Sequence, residues 1–152
     1  MIDRSEWCRC LKALPTEQLL ALTETVSKQW TIRPKAVPQS GLGMLKLNDS
    51  AFEEAFYLGE FPLSFAWVEI QIPDGRMAEG AAQVMDDRLE VAEALAVCDA
   101  TLSARLPGWE QVEELVQQGL KHLGATDRER KKILASTQVD FALLDDVGDD
   151  NA

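Results

Sequence analysis

The first thirty residues carry apolar side chains at helical spacing. Trp7, Leu11 and Leu14 follow the i, i+4, i+7 spacing that lines one face of an α-helix. Pro15 interrupts this series, and a second series with similar spacing follows it. The pattern predicts a helical hairpin or a kinked helix over residues 4–29.

The middle of the chain carries patterns typical of β-strands. Pro34 and Pro38 force extended backbone on the residues before them, because that position disfavours the α conformation. Residues 41–47 and 54–59 form two short apolar runs, and each is predicted to be a strand. Within residues 63–72 the apolar positions alternate and then change phase, which predicts either a bulge or a strand covered on both faces.

A turn follows these strands. Pro73 presets its own φ and Gly75 permits a positive φ, so Pro73-Asp74-Gly75 is a turn signal with a physical basis. Residues 76–85 are the predicted return strand of a hairpin. Short connections between the strands favour an antiparallel sheet.

Two apolar helical stripes occupy the later part of the chain, one ending near Leu102 and one near Leu123. Strands in the middle with helices at both ends predict an α+β fold, a central antiparallel sheet flanked by N-terminal and C-terminal helices. Residues 1–144 are predicted to form a single domain, and the aspartate-rich residues 145–152 a disordered acidic tail. The predicted helix boundaries are Thr16 and Asp87 as N-caps, Pro107-Gly108 as a stop, Gly124 as a C-cap, and Thr126 with Glu129 as a capping box.

Composition narrows the classes of function. The chain has 152 residues with 15 Lys and Arg against 26 Asp and Glu, a formal net charge of −11. This balance argues against nucleic-acid binding driven by charge, which needs clustered cations. No stretch reaches the roughly 20 apolar residues of a membrane span, and three cysteines are too few for a disulfide framework. These features favour a soluble protein of the cytoplasm.

The residue types needed for catalysis or metal binding are sparse. His122 is the only histidine, which excludes a multi-histidine metal site within one chain. Cys8 and Cys10 would point about 200° apart on a helix, so we predict no metal or redox site and no cofactor. Cys98 is predicted to be a small buried apolar residue. The lack of a self-sufficient catalytic set favours a subunit or a binding role.

Two further groups of residues could face a partner. Arg128-Glu129-Arg130-Lys131-Lys132 is a short basic stretch that could meet an acidic partner, although a charged helix surface is the simpler expectation. Phe61, Phe65, Trp67 and Trp109 could form an interface, and core packing is the simpler expectation for most of them.

Six short motifs occur along the chain in an ordered series. They are Arg4, Trp7 and Leu11; Gln39-Ser40-Gly41-Leu42; Phe56-Tyr57-Leu58-Gly59-Glu60; Asp74-Gly75; Ala92-Glu93 with Asp99-Ala100; and Thr137-Gln138-Val139-Asp140-Phe141-Ala142. In this order and spacing the chain resembles the PhnG family, small subunits of the bacterial carbon–phosphorus lyase core complex. The resemblance extends from about residue 4 to residue 142.

The resemblance implies a function that the residues alone do not reveal. PhnG subunits assemble in the cytoplasm with PhnH, PhnI and PhnJ. PhnG, PhnH and PhnI, with the accessory PhnL, are associated with moving a phosphonate onto the ribose of ATP and releasing adenine. PhnJ then cleaves the carbon–phosphorus bond of the product, ribose 1-phosphonate 5-triphosphate, by radical chemistry. The nucleosidase activity is that of PhnI and the iron–sulfur cluster is not held by PhnG, so an assembly role without catalytic residues is implied.

On this resemblance, the motif residues are candidates for an interface with the other subunits. A homodimer of the isolated chain is a further expected association, whereas partners of the nucleic-acid or membrane class are not expected. The candidate residues are Trp7, Gly41, Leu42, Gly59, Glu60, Asp74, Gly75, Asp99, Thr137, Val139, Asp140 and Phe141.

The chain also departs from the family pattern. A Gly-Gly-Thr-Gly loop aligns with Ser50-Ala51-Phe52-Glu53, and three family arginines fall at Phe65 and near Asp86-Asp87 and Asp145-Asp146. Arginine is the usual bidentate partner of phosphate or carboxylate. We therefore hypothesise a divergent member with altered or lost anion contacts, to a ligand or to partner subunits. The alternative is a free-standing, homo-oligomeric, non-catalytic binding domain that kept the fold, and a stand-alone transferase has the least support.

Overall fold

The described part of the chain, residues 2–137 of a computed structural model, contains four helices and three strands. The strands form one antiparallel sheet in the order β1-β2-β3. Helices precede and follow the sheet, which confirms the predicted α+β fold. The elements are α1 (Arg4–Lys12), α2 (Thr16–Ser27), β1 (Thr31–Asn48), β2 (Ala55–Gln71), β3 (Met77–Val84), α3 (Leu89–Ser103) and α4 (Trp109–Ser136).

The predicted helical hairpin over residues 4–29 is present, but its predicted cap and that of α3 are wrong. Pro15 is the N-cap of α2, so Thr16 is the first helical residue rather than the cap. Arg88, not Asp87, is the N-cap of α3. α2 therefore begins one residue earlier than predicted and α3 one residue later, and the N-cap side chain of neither helix makes a capping hydrogen bond.

The end of α4 differs most from the prediction. α3 ends at Ser103, before the predicted stop at Pro107-Gly108, and Gly108 is instead the N-cap of α4. The helix then continues through Gly124 and Thr126, so the predicted C-cap and capping box are wrong. The Thr126 hydroxyl instead donates to the carbonyl of His122 at 3.1 Å, a bond that satisfies it inside the helix.

β2 buries one face only. The side chains of Ser64, Ala66 and Val68 are buried, whereas Trp67 between them is 38% exposed. β2 also pairs with β3 without a register shift. Opposite Phe65 to Val68 the register against β1 does shift, but the extra residues lie on β1, and burial alternates without a break along β2. A bulge within residues 63–72 or a two-sided cover of them is therefore wrong, and the apparent change of phase arises because aromatic side chains occupy the outer face of the strand.

The two short predicted strands belong to longer ones. Residues 41–47 are part of β1, and residues 54–59 fall largely within β2. The extended backbone predicted around Pro34 and Pro38 is confirmed, because both lie in β1, an edge strand. Proline has no N–H to donate to a ladder, and the register of β1 against β2 shifts beside both prolines.

α3 lies at the centre of the molecule. It packs against β2 and β3 on one side and against α1, α2 and α4 on the other. A Cβ added at Gly80 of β3 would lie 2.1 Å from the carbonyl oxygen of Ala96, so strand and helix meet at main-chain distance. Cys98 is fully buried, as predicted. The buried residues of α3 are Val91, Ala92, Ala94, Leu95, Ala96, Val97, Cys98, Asp99, Ala100 and Thr101.

Residues 138–152 lie outside the described residues, and with them Val139, Asp140, Phe141 and the predicted acidic tail. The predicted domain boundary at residue 144 also falls there and stays a prediction. Among residues 2–137, no helix combines the length and the apolar character needed to cross a membrane.

A second close approach lies where α4 crosses α1. A Cβ added at Gly119 would lie 1.9 Å from the carbonyl oxygen of Cys10, which is a main-chain atom without rotational freedom. Gly124, further along the same helix, faces open space, since the nearest atom to an added Cβ is a guanidinium nitrogen of Arg128 at 3.6 Å. Only the first of the two glycines is required by packing.

We expect Gly119→Ala to lower the free energy of unfolding by about 1–3 kcal/mol, because the added methyl forces α4 away from α1. Urea unfolding followed by circular dichroism measures this as a lower midpoint.

Gly124→Ala is the matched control, and we expect it to raise the free energy of unfolding by up to about 1 kcal/mol through its better helix propensity. Equal effects of the two substitutions would contradict the close crossing of α1 and α4.

Candidate partner-binding surface

Two of the motif residues hold the core rather than face outward. Asp99 of α3 accepts hydrogen bonds from Arg4 Nε and Nη2 at 2.8 and 2.7 Å, and from the Ala81 amide at 3.1 Å. Its carboxylate therefore connects α1, α3 and β3. Trp7 is buried, and its indole N–H donates to the carbonyl of Ile2 at 3.0 Å. The fold itself gives both residues a role.

Asp74 and Gly75 form the predicted turn between β2 and β3. The Gly75 amide donates to the carbonyl of Ile72 at 3.0 Å, and Gly75 has a φ of +90°. The Asp74 carboxylate accepts from the amide and the guanidinium of Arg76 at 3.0 and 2.8 Å, and these bonds lower the pKa of that carboxyl. This is a three-residue hairpin loop in which glycine supplies the left-handed residue. Both motif residues therefore have a local structural role.

Four further motif residues lie on a hairpin that extends beyond the sheet. β3 pairs with β2 only over residues 64–71, so β1 and β2 continue past it as a two-stranded ribbon. We call residues 41–63 the hairpin arm. The motif residues on the hairpin arm are Gly41, Leu42, Gly59 and Glu60.

Local backbone geometry shapes the hairpin arm. At its tip, the Asp49 carboxylate accepts a hydrogen bond from the Ala51 amide at 2.6 Å. Near its middle, the register shifts between Met44 and Lys46, opposite the segment that contains Gly59. Gly59 has a φ of +86°. A bulge with a left-handed glycine increases the local twist of a hairpin, so Gly59 has a backbone role there.

The hairpin arm exposes large apolar side chains. Their exposed fractions range from 45% at Phe56 to 77% at Phe52. A two-stranded ribbon is at best marginally stable alone in water, and contiguous exposed apolar surface marks interaction sites. The hairpin arm is therefore the strongest candidate for a surface that a partner covers. The exposed apolar residues of the arm are Leu42, Met44, Leu45, Phe52, Phe56, Tyr57 and Leu58.

The apolar surface continues onto the outer face of the sheet. Phe61, Phe65 and Trp67 alternate along β2 on the face opposite α3, and none of them is buried. The Lys35 ammonium lies 4.9 Å from the centre of the Trp67 ring, a cation–π contact. Trp109 on α4 is also only partly buried. The expectation that core packing explains most of these four aromatic residues is wrong.

Asp86, which falls near a family arginine, is engaged by cations of its own chain. Its carboxylate accepts from Arg88 Nε and Nη2, both at 3.0 Å, from the Arg88 amide at 2.9 Å, and from Lys12 Nζ. Arg88 and Lys12 hold the pKa of the Asp86 carboxyl well below its ordinary value. Arg88 also donates to the Thr16 hydroxyl at 3.1 Å, so this network links α1, α2 and the start of α3.

The cysteines lie in surroundings that suppress their reactivity. Burial raises the pKa of the Cys98 thiol to about 12, and burial also raises the pKa of Cys8 and of Cys10. The nucleophilic thiolate form is therefore scarce at neutral pH. Within residues 2–137, His, Cys, Asp and Glu side chains form no group of three or more that could hold a metal ion. The hairpin arm and the outer face of the sheet therefore remain the candidate functional surface, and they offer apolar contact area.

The sequence predicted strands at residues 41–47 and 54–59, but it did not predict that these strands extend beyond the sheet as a hairpin arm. Alternating apolar residues ordinarily indicate a strand with one buried face. A signal was present in the lengths, because the predicted return strand over residues 76–85 is too short to pair with everything from residue 54 to residue 72. A second signal is the unbroken apolar run over residues 55–58, because a strand with one buried face and one solvated face alternates apolar and polar residues.

Comparison with known families accounts for the motifs. The family model described as phosphonate metabolism protein PhnG matches residues 2–145, nearly the whole chain. The chain belongs to the PhnG family. Membership confirms the resemblance drawn from the motifs and makes the chain a phosphonate metabolism protein, from a family of subunits that act beside partner subunits. No curated protein sequence matches the chain.

The last PhnG motif begins at the end of α4. Thr137 is the C-cap of this helix, and its hydroxyl donates to the carbonyl of Leu134 at 2.9 Å. The remainder of that motif, from residue 138 onward, lies outside the described residues. Among the candidate motif residues that the structure describes, Trp7 and Asp99 are buried, whereas those of the hairpin arm, the Asp74-Gly75 turn and Thr137 are exposed.

We expect Gly59→Ala to loosen the hairpin arm. A side chain at a φ of +86° costs about 1–2 kcal/mol, which is roughly tenfold in an opening equilibrium. Amide hydrogen exchange of residues 41–63 should therefore be about tenfold faster in the variant.

Gly41→Ala is the matched control on the same arm, because an added Cβ at Gly41 meets no atom within 4 Å. We expect exchange of the arm at the wild-type rate in this variant. Equal acceleration in both variants would contradict a specific backbone role for Gly59.

Asp86→Asn tests the network around Asp86. At pH 7 we expect it to lower the free energy of unfolding by about 1.5–3 kcal/mol, the range for hydrogen bonds to charged groups. The folded-state pKa of Asp86 is lowered from 3.8, so its contribution is complete above that value and is lost as pH falls through the lower pKa. Urea unfolding at pH 7, 5 and 3 should show a constant difference from wild type at the first two and a smaller one at pH 3.

Asp87→Asn is the control for this pH series, since Asp87 is the exposed neighbour of Asp86 and takes part in no ion pair among the described residues. It should stay within about 0.5 kcal/mol of wild type at every pH. A difference for Asp86→Asn that is as large at pH 3 as at pH 7 would refute the stabilising role of the carboxylate charge.

Proposed function

We propose that the chain is a subunit of a carbon–phosphorus lyase core complex of the cytoplasm, with subunits of the PhnH, PhnI and PhnJ kind as partners. In this complex it supports the formation of ribose 1-phosphonate 5-triphosphate from ATP and an alkylphosphonate. Its contribution is assembly, with the chemistry carried by the partner subunits. Membership in the PhnG family supports the setting of this role.

The observation that carries the proposal is the hairpin arm. Seven large apolar side chains on 23 residues are exposed there, and the ribbon lies beyond the cover of both β3 and α3. Burying a side chain such as Leu58 or Phe56 against a partner contributes about 1.5–3 kcal/mol. A few such contacts at the centre of an interface are enough to dominate its affinity.

Two aspartates of the motifs, Asp74 and Asp99, support an assembly role over a catalytic one. Asp99 is bonded to Arg4 and to the main chain of β3, and Asp74 is bonded to Arg76 within its own turn. Carboxylates held in this way stabilise the fold and are not poised to exchange protons with a substrate. Asp74 and Asp99 thus belong to the scaffold that presents the hairpin arm.

The alternative function is a free-standing homo-oligomeric binding domain that has left the complex. An exposed apolar hairpin serves a homo-oligomer as well as a hetero-complex, so the two functions differ in which protein covers the arm. Co-expression with the other subunits separates them, because only the proposed function predicts a stable hetero-complex.

We expect the double variant Phe56→Ser and Leu58→Ser to recover at least tenfold less of the PhnH-, PhnI- and PhnJ-like subunits than wild type. The chain is co-expressed with these subunits, purified through a tag on its N-terminus, and the recovered subunits are quantified. Loss of two apolar contacts is sufficient for this effect, since each tenfold in affinity corresponds to about 1.4 kcal/mol.

The matched control is Val37→Ser with Met85→Ser, two exposed apolar residues outside the hairpin arm. This variant should recover the partner subunits at the wild-type level, and circular dichroism should show that both double variants are folded. Full recovery by the arm variant would refute the arm as the interface. A wild-type chain that stays a clean monomer or homodimer in the presence of the subunits would refute the proposed function itself.

A further inference from the structure

The inner face of β1 is left uncovered beside α3. α3 packs mainly on β2 and β3, while α2 lies on the far side of the gap. The result is a groove of about 330 Å³ between α2, α3 and the sheet. Ile32, Pro34 and Val68 form its floor, and Leu20 and Val97 line its walls. The groove is wide enough for the side chains of one helical turn or a short extended segment.

Three carboxylates surround this apolar groove. Glu24 on α2 and Glu90 and Glu93 on α3 line it, and all three are exposed. Among the described residues, none of them takes part in an ion pair. We call this feature the acidic groove, defined by Glu24, Glu90 and Glu93 around Ile32 and Pro34. Its chemistry fits an apolar segment that also carries cations.

The other polar side chains of the acidic groove are already satisfied. The Thr23 hydroxyl donates to the carbonyl of Leu19 at 2.8 Å, and the Ser27 hydroxyl donates to the carbonyl of Thr23 at 2.7 Å. These two hydroxyls therefore need no hydrogen-bond acceptor from a segment bound in the groove. The three glutamates alone set the polar part of the recognition.

The outer half of α4 has the complementary chemistry. Residues 125–136 of this helix are exposed throughout and span about 18 Å beyond the last core contact at Leu123. Arg130, Ile133 and Leu134 occupy positions i, i+3 and i+4 and so share one face, with Lys131 beside them. Ile133 is 60% exposed and Leu134 is 64% exposed.

We call residues 128–134 the basic end of α4. Four cations stand within residues 128–132, and among the described residues none of them forms an ion pair. Asp127 lies one turn nearer the body on the face of Arg130, which limits a contact with an acidic surface to the last two turns. The segment is therefore a helix end with two aliphatic side chains and a local positive charge.

We propose that two copies of the chain associate by placing the basic end of α4 of each copy in the acidic groove of the other. Each copy carries one groove and one helix end, so a two-fold arrangement satisfies both at once and closes the assembly. Ile133 and Leu134 cover the apolar floor, and Arg130 and Lys131 meet the glutamates. These surfaces are separate from the hairpin arm, so the pairing goes beyond the proposed function and does not depend on it.

Charge-swapped variants test this pairing in the full-length chain. The groove variant is Glu90→Lys with Glu93→Lys, and the helix variant is Arg130→Glu with Lys131→Glu. All four residues are exposed, so both variants should fold. By light scattering at tens of micromolar protein and low salt, we expect wild type to be a dimer and each variant alone to be at least tenfold weaker in self-association, because each then presents like charges at both contacts.

Mixing the two variants is the decisive step. In a heterodimer of groove variant and helix variant, both contacts again join opposite charges, so a 1:1 mixture should regain dimers. Native mass spectrometry should identify these dimers as heterodimers, since the two variants differ in mass. Rescue of this kind cannot arise from a loss of folding in either variant.

Several results would overturn the pairing. They are a monomeric wild type under these conditions, a dimer that persists in either variant, or a mixture that stays monomeric. A dimer abolished by Phe56→Ser with Leu58→Ser but retained by both charge variants would place self-association on the hairpin arm instead. Recovery of partner subunits by the wild-type chain is a separate measurement, so failure of the pairing and failure of the proposed function give different results.

Discussion

The burial of α3 from Ala94 to Thr101 is the constraint on which the rest of the structure depends. Because every side chain of this stretch is buried, it needs cover from two layers at once, so the sheet lies on one side and α1, α2 and α4 on the other. Gly80 lets β3 approach α3 at main-chain distance, and Gly119 does the same for α4 and α1 within the helical layer. Asp99 is the charged side chain that α3 buries, and its bonds to Arg4 and the Ala81 amide hold the layers in register.

The same constraint explains why binding surfaces remain open. A helix is about 10 Å across and strands are about 4.8 Å apart, so one helix covers two strands of a sheet. α3 accordingly covers β2 and β3 and leaves the inner face of β1 free, which creates the acidic groove. β3 has eight residues and β1 has 18, so the far halves of β1 and β2 have no third strand and become the hairpin arm. Both surfaces therefore follow from the width of α3 and from the short length of β3, and neither depends on one particular residue.

Sequence patterns predicted the elements well because most of them depend on local spacing. The turn at Asp74-Gly75, the burial of Cys98 and the α+β order all follow from short-range signals. The outer face of β2 could not be predicted in this way, since Trp67 has the same hydrophobicity whether it faces α3 or solvent. The continuation of α4 past Gly124 also depends on context beyond the glycine itself, because a glycine ends a helix only where the chain turns away after it. The candidate surfaces require the packing of whole elements, which no local spacing contains.

The ion pairs of Asp86 alter the effect that an aspartate at this position has on anion binding. An exposed aspartate there would repel a phosphate simply by its charge. In this chain the carboxylate is buried and is the counterion of Lys12 and Arg88, so its charge is largely neutralised within the fold. Those two cations are in turn committed to Asp86 and are not free to bind an anion. The Asp86 network thus commits two cations to the interior of the fold and adds a link between α1 and α3, which supports the proposed assembly role over direct binding of an anion.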